Sequence, residues 1–189
     1  MRPLIVMSSV FIASLCLAYN PTKNVDQIIE LKKEEAKDLI ETFTGWHLKL
    51  EHLPSIDKDV AYELAKFEGG SLILGLTKMD KDIAHELQEF KGGWLGLPSL
   101  KSIDKDVALE LIQNRAYLDI GLTAIDKDVA HELAKFEYGI LYLDSLTSIN
   151  RDVALELRKF KGGKLNIGHL KSIEPEVSNI LKKNPYIEF

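Results

Sequence analysis

Pairs of carboxylates two residues apart recur along this chain every 22 to 24 residues: Asp57/Asp59, Asp80/Asp82, Asp104/Asp106, Asp126/Asp128 and, with an amide in place of one acid, Asn150/Asp152. Such a pair could begin a calcium loop. An EF-hand, however, needs a third oxygen ligand two residues further on and a glycine at the sixth position, where the first copy has Ala61 and Tyr62. A calcium-binding β-roll needs Gly-Gly-x-Gly-x-Asp, whereas Gly69-Gly70 is followed by Ser71-Leu72-Ile73. Of the five histidines, His85 and His131 hold one helical position two repeats apart, and His52 and His169 hold one loop position. That spacing separates them too far to share a metal, and they read as solvated surface. The sequence offers no Ser–His–acid or Cys–His set with nucleophile spacing. The reading is a protein without catalytic residues, metal or cofactor.

What the acids do follows from what surrounds them. Ser102-Ile103-Asp104-Lys105-Asp106-Val107-Ala108-Leu109-Glu110-Leu111 is repeated with small changes from Ser55, Lys78, Ala124 and Ser148. A period this short marks a solenoid. Asp57 stands just before the first apolar-periodic residue, as an N-cap whose carboxylate accepts from orphan backbone N–H groups. Asp59, in the first turn, complements the helix dipole. Val60, Ala61, Leu64 and Phe67 fall on one stripe of a helix of about ten residues, with Lys58, Tyr62, Glu63 and Lys66 on the solvent side. Gly69-Gly70, Gly92-Gly93 and Gly162-Gly163 then read as positive-φ C-caps. A short strand follows, Leu72-Ile73-Leu74 in one copy and Leu141-Tyr142-Leu143 in another, whose outer residues face the core while the middle one faces away. A further core leucine (Leu76, Leu100, Leu122, Leu146, Leu170) leads into the next Ile-Asp. One unit cannot bury its own apolar face, so units must stack, with strands in parallel and helices outside them.

The resulting pattern, Leu-x-Leu-x-x-Leu-x-x-Ile-Asp followed by an apolar helix, resembles a leucine-rich repeat over residues 33–189. The nearest variety is the cysteine-containing subtype, with leucine in place of its cysteine. The Gly-Gly turn and the absence of the family's loop asparagine are departures. The resemblance implies an α/β right-handed repeat solenoid with short parallel strands on a concave face and α-helices on a convex face. It implies recognition and no catalytic residues.

The ends read differently. Residues 1–18 form a signal peptide: Arg2 is followed by an uncharged apolar run from Leu4 to Leu17, and Cys16-Leu17-Ala18 permits cleavage before Tyr19. The run is shorter than the roughly 20 residues a membrane span needs, although an uncleaved anchor is the alternative. Cys16, the only cysteine, is either a discarded apolar residue or, less in keeping with the bulky Leu15 before it, a lipid acceptor. The expected location is outside the cytoplasm: secreted, periplasmic or on the cell surface. Asn20-Pro21-Thr22 is disqualified as a glycosylation acceptor by its proline. Residues 19–32 read as a linker and N-terminal capping helix, with helical pattern from Val25 to Phe43. About seven repeats fill 33–189. At the far end, Pro175 opens a helix, Asn184-Pro185 breaks it, and Ile187-Glu188-Phe189 supplies a last strand.

With 24 basic and 29 acidic residues well mixed along 189, the chain lacks the clustered positive charge of a nucleic-acid or anionic-membrane binder. Repetition stops only at the outward strand positions. The residue before each triplet is His47, Ser71, Trp94, Tyr117, Ile140, Lys164 or Tyr186; the middle residue is Lys49, Ile73, Gly96, Asp119, Tyr142, Asn166 or Glu188. Trp94, Tyr117, Asp119, Ile140, Tyr142 and Asn166, beside the small Gly75, Gly96 and Gly121, therefore form the candidate binding face, for a protein or else for a glycan stacked on the aromatics. On adjacent strands about 4.8 Å apart, the three aromatic side chains should span roughly 10–15 Å. A spacer with no ligand is the third reading, in which these aromatics serve only β-propensity.

Overall fold

A computed structural model describes residues 25–113, 116–168, 170 and 173–189. The signal segment, Cys16 and His169 lie outside the described residues. Seven helix–strand units follow one another. The helices are α1 (Lys33–Thr42), α2 (Lys58–Ala65), α3 (Lys81–Leu87), α4 (Lys105–Leu111), α5 (Lys127–Leu133), α6 (Arg151–Leu157) and α7 (Pro175–Leu181). The strands between them are β1 (His47–Leu50), β2 (Ser71–Leu74), β3 (Trp94–Leu97), β4 (Tyr117–Ile120), β5 (Ile140–Tyr142), β6 (Lys164–Asn166) and β7 (Ile187–Glu188). All seven strands form one parallel sheet in sequence order. The molecule is an α/β repeat solenoid. Among the described residues no helix is long and apolar enough to cross a membrane.

The core is the one the repeat dictates. In β2 to β4 the first and third residues of each Leu-x-Leu-type triplet are fully buried, and the middle residue of β2, Ile73, and of β4, Asp119, is only half-buried. Leu53, Leu76, Leu100, Leu122 and Leu146 fill the loop position with no exposed surface. Val60, Ala61 and Leu64 and their counterparts in α3 to α6 close the core from the helical side.

The recurring acids are helix caps. Asp57, Asp80, Asp104 and Asp126 each accept a hydrogen bond on Oδ1 from the backbone N–H three residues on, at 2.8–2.9 Å, and Asn150 accepts the same bond from Val153 at 2.9 Å. Asp104→Ala should therefore cost roughly 0.5–2 kcal/mol in chemical denaturation, with Asp104→Asn close to neutral.

Three features depart from the sequence reading. The N-terminal helix does not start at Val25. Val25–Gln27 is a 3₁₀ turn whose Val25 is buried, and α1 begins only at Lys33, where the backbone N–H of Lys32 donates to Oε2 of Glu35 at 3.0 Å. Beyond α1, the repeat helices have only seven or eight residues. α2 stops at Ala65, and the Phe67 N–H bonds Leu64 at 3.1 Å in a tighter i→i−3 turn, so Phe67 enters the core from the turn. The Gly-Gly pairs are not positive-φ caps; among the described glycines only Gly139 has positive φ, at 85°. Glycine is needed for space. A Cβ on Gly69 would lie 2.2 Å from Phe67 Cζ and 2.7 Å from the Trp46 carbonyl oxygen, and one on Gly92 would lie 2.1 Å from Phe90 Cζ. Each phenylalanine folds back under the glycine that follows it.

The helical face is also less plainly solvated than the pattern implied. Glu63 and Glu156 are buried polar residues. Glu63 Oε2 is bonded by Lys66 at 2.8 Å, and Glu156 Oε2 by Lys159 at 2.6 Å and by His131 Nδ1 of the preceding repeat at 2.9 Å. A carboxylate can only accept, so His131 donates from Nδ1. His85 Nδ1 likewise lies 3.0 Å from Glu110 Oε2 of the next repeat, with the Gln88 side-chain amide also at 2.7 Å. These histidines tie one repeat to the next. The Lys159 hydrogen bond, then that of His131, hold the Glu156 carboxyl below its ordinary value of 4.5. The stabilisation this gives is present above that value and is lost as pH falls through the lowered one.

Candidate functional site

Parallel pairing brings the non-repeating positions into two rows on the outward sheet face. Ser71, Trp94, Tyr117, Ile140 and Lys164 are in register across β2 to β6, and so are Ile73, Gly96, Asp119, Tyr142 and Asn166. Glu188 extends the second row onto β7. Repeat stacking alone sets this row geometry, because a register slip would turn every leucine out of the core.

The aromatics do not lie as a row of separate platforms. Trp94 stacks on Tyr117 of the neighbouring strand (centroids 5.6 Å apart, planes 19° from parallel) and also on Tyr142, two strands away (5.7 Å, 18°). Centroid spacings this short make one stack, more compact than the 10–15 Å row expected from strand separation. Gly96 lies under the stack, where a Cβ would press on Ile73 Cγ1 at 3.2 Å and only touch Trp94 Nε1 at 3.5 Å. Gly75 and Gly121 have another cause. A Cβ on either would fall within about 2 Å of a carbonyl oxygen of the preceding repeat, that of Glu51 or Pro98. They serve stacking of the chain rather than a ligand.

Asp119 sits on β4, the strand that the Trp94–Tyr142 contact spans, and in register between Gly96 and Tyr142. Burial pushes its carboxyl above the ordinary 3.8, and the nearby charge of Asp144 adds to the rise. Asp144 follows β5, and its Oδ1 is a buried acceptor with no hydrogen-bond partner among the described residues. Ile140 is half-buried beside Tyr117 in register. Asn166 is turned to its own loop, where Oδ1 accepts from the Gly168 N–H at 3.1 Å. It lies at the margin of the cluster. Next to it Lys164 pairs with Glu188 at 2.6 Å.

The centre of the face is thus Trp94, Tyr117, Asp119, Tyr142 and Asp144. Sequence reading missed Asp144. The signal was slight: the position after the third triplet residue is Gly75, Pro98, Gly121 or Gly168 in other copies, but the first copy also has an acid there, Glu51. It also missed a groove of about 550 Å³ at the first repeat, lined by Ile40, Phe43, the 66% exposed Trp46, Lys66 and Phe67.

The raised Asp119 carboxyl carries a sign. A folded-state value above the unfolded one means that ionisation is penalised in the folded protein, so stability falls as pH rises from about 3.8 through the raised value and is level above it. Asp119→Asn should stabilise the protein at neutral pH, by roughly 0.5–2 kcal/mol. In thermal melts across pH the gain should vanish below that window. A neutral-pH loss of stability would show that the charge is satisfied.

No family model matches the chain, and no curated protein is similar to it.

Proposed function

We propose that this chain is a non-catalytic recognition scaffold, leucine-rich-repeat-like in organisation, that binds a protein partner outside the cytoplasm through the outward face of its sheet. One observation carries the reading: the positions at which the repeat stops repeating converge on a single stack of Trp94, Tyr117 and Tyr142 beside Asp119. Tyrosine and tryptophan supply large, stiff contact area and dominate binding hot spots. The recurring acids, which would otherwise be the chemical candidates, are committed to helix ends. The location rests on the signal-like residues 1–18. A glycan-stacking role is less favoured, because the Trp94 ring is already engaged by two tyrosine rings and has less face to offer a sugar.

The test pairs a glycan array with affinity capture from the secreted and envelope fractions, using wild-type protein and Trp94→Ala side by side. Capture of a protein that depends on Trp94, with an empty array, supports the proposal. Array binding that depends on Trp94 would assign the face to carbohydrate, and binding of either kind that ignores Trp94 would move the site elsewhere.

A further inference from the structure

We propose that the partner segment seated on the sheet face presents an arginine, whose guanidinium is taken by Asp119 and Asp144 beside the Trp94–Tyr142 stack. The inference rests on the sheet-face reading above and names the chemistry of the occupant. Among the described residues neither acid has an ion-pair partner. The nearby cations are otherwise employed: Lys164 pairs with Glu188 at 2.6 Å, and Lys101 donates to the Pro98 carbonyl at 3.0 Å. Among the described residues, the aromatic centre of the face thus holds two carboxylates without an ion pair.

The two acids ask for different things, and one side chain meets both. Asp119 is a partly desolvated charge and asks for a cation. Asp144 Oδ1 is a buried acceptor without a donor, and asks for an N–H. Asp144 as a residue is only half-buried, and the aspartate χ2 torsion is broad, so a small rotation presents that oxygen outward. A quaternary ammonium brings charge but no N–H. An ammonium brings charge and N–H groups but is compact and strongly hydrated. A guanidinium brings charge and five N–H groups in a planar fork, and its plane stacks on aromatic rings. The planar fork, which can engage both acids at once, selects the guanidinium.

The experiment uses the full chain with Trp46→Phe, which leaves Trp94 as its one tryptophan. The capped peptides acetyl-Gly-Gly-Arg-Gly-Gly-amide, its lysine counterpart and its citrulline counterpart are titrated to about millimolar concentration, the range a single side-chain contact sustains, and followed by tryptophan fluorescence. A saturable change with the arginine peptide is expected, weaker with lysine and absent with citrulline, which has the shape without the charge. Asp119→Asn and Asp144→Asn, each confirmed folded by circular dichroism, should weaken the arginine peptide roughly tenfold or more. No saturable change, equal response to citrulline, or unchanged binding in both variants would overturn the proposal. The two readings fail separately: a captured partner that needs Trp94 but neither acid keeps the sheet face and removes the arginine, whereas one indifferent to Trp94 removes both.

Discussion

Phe136→Ala should lower the free energy of unfolding by roughly 3–5 kcal/mol, the range of a fully buried aromatic truncation. The ring is 1% exposed and stacks on Phe160 of the next repeat, with centroids 6.2 Å apart and planes 17° from parallel. Its removal leaves a void at the junction of two repeats, and neither side can close it by itself. The Phe136 carbonyl oxygen already lies 2.7 Å from where a Cβ on Gly162 would sit. In a solenoid each unit is held mainly by its neighbours, so the damage weakens an interface as well as a repeat. Urea melts followed by circular dichroism measure it; a loss below about 1 kcal/mol would mean that the turn, and not the ring, sets the packing there.

Trp94→Ala should weaken partner binding by more than ~2 kcal/mol, with a smaller effect on stability. The indole is half-buried on the outward face and touches both Tyr117 and Tyr142. Losing it removes two ring contacts, each worth roughly 0.5–1.5 kcal/mol, and frees both tyrosines to reorient, so a preorganised surface becomes a mobile one. Tyr142→Ala removes only one of these contacts and should have the smaller effect. Calorimetric titration with the captured partner separates the two variants.

How much of this was legible in the sequence depended on whether a residue's role follows from its spacing or from the side chains it meets. The order of elements, the parallel sheet, the buried leucines and the aspartate caps follow from local pattern, and each is as the repeat dictates. The errors lie in contacts that residue spacing does not show, some within a repeat and some with its neighbour. Phe67 has the spacing of a longer helix but belongs to a turn, because an apolar residue at i+7 serves the core equally well in either conformation. Gly69 and Gly92 read as backbone-conformation glycines, yet it is the ring of Phe67 or Phe90 that excludes a side chain. Glu63 and Glu156 carry the polarity of a solvent face and are nonetheless buried, each held by a lysine just past the end of its own helix, Glu156 also by His131 from the repeat before. At the site, alternation placed Trp94, Tyr117, Asp119 and Tyr142 on one face. It could not say that long side chains two strands apart would stack across Asp119, nor that Asp144 would join them from the loop. Asn184, read only as a helix breaker, is a buried plug whose Nδ2 donates to the carbonyls of Arg158 and Phe160, both at 2.8 Å. It stands where other repeats carry phenylalanine, so the final unit closes its turn with hydrogen bonds to the repeat before it.

Binding through the sheet face is tested most directly by comparing the two faces of one folded protein against the same partner. Lys105 and Lys127 are exposed at the starts of α4 and α5 and make better helical-face controls than Glu156, whose carboxylate is buried and paired. The dissociation constant should rise at least about thirtyfold for Trp94→Ala, the equivalent of ~2 kcal/mol, and change less than about threefold for Lys105→Ala and Lys127→Ala. Loss of binding in the lysine variants with Trp94→Ala indistinguishable from wild type would place the site on the helices and contradict binding through the sheet.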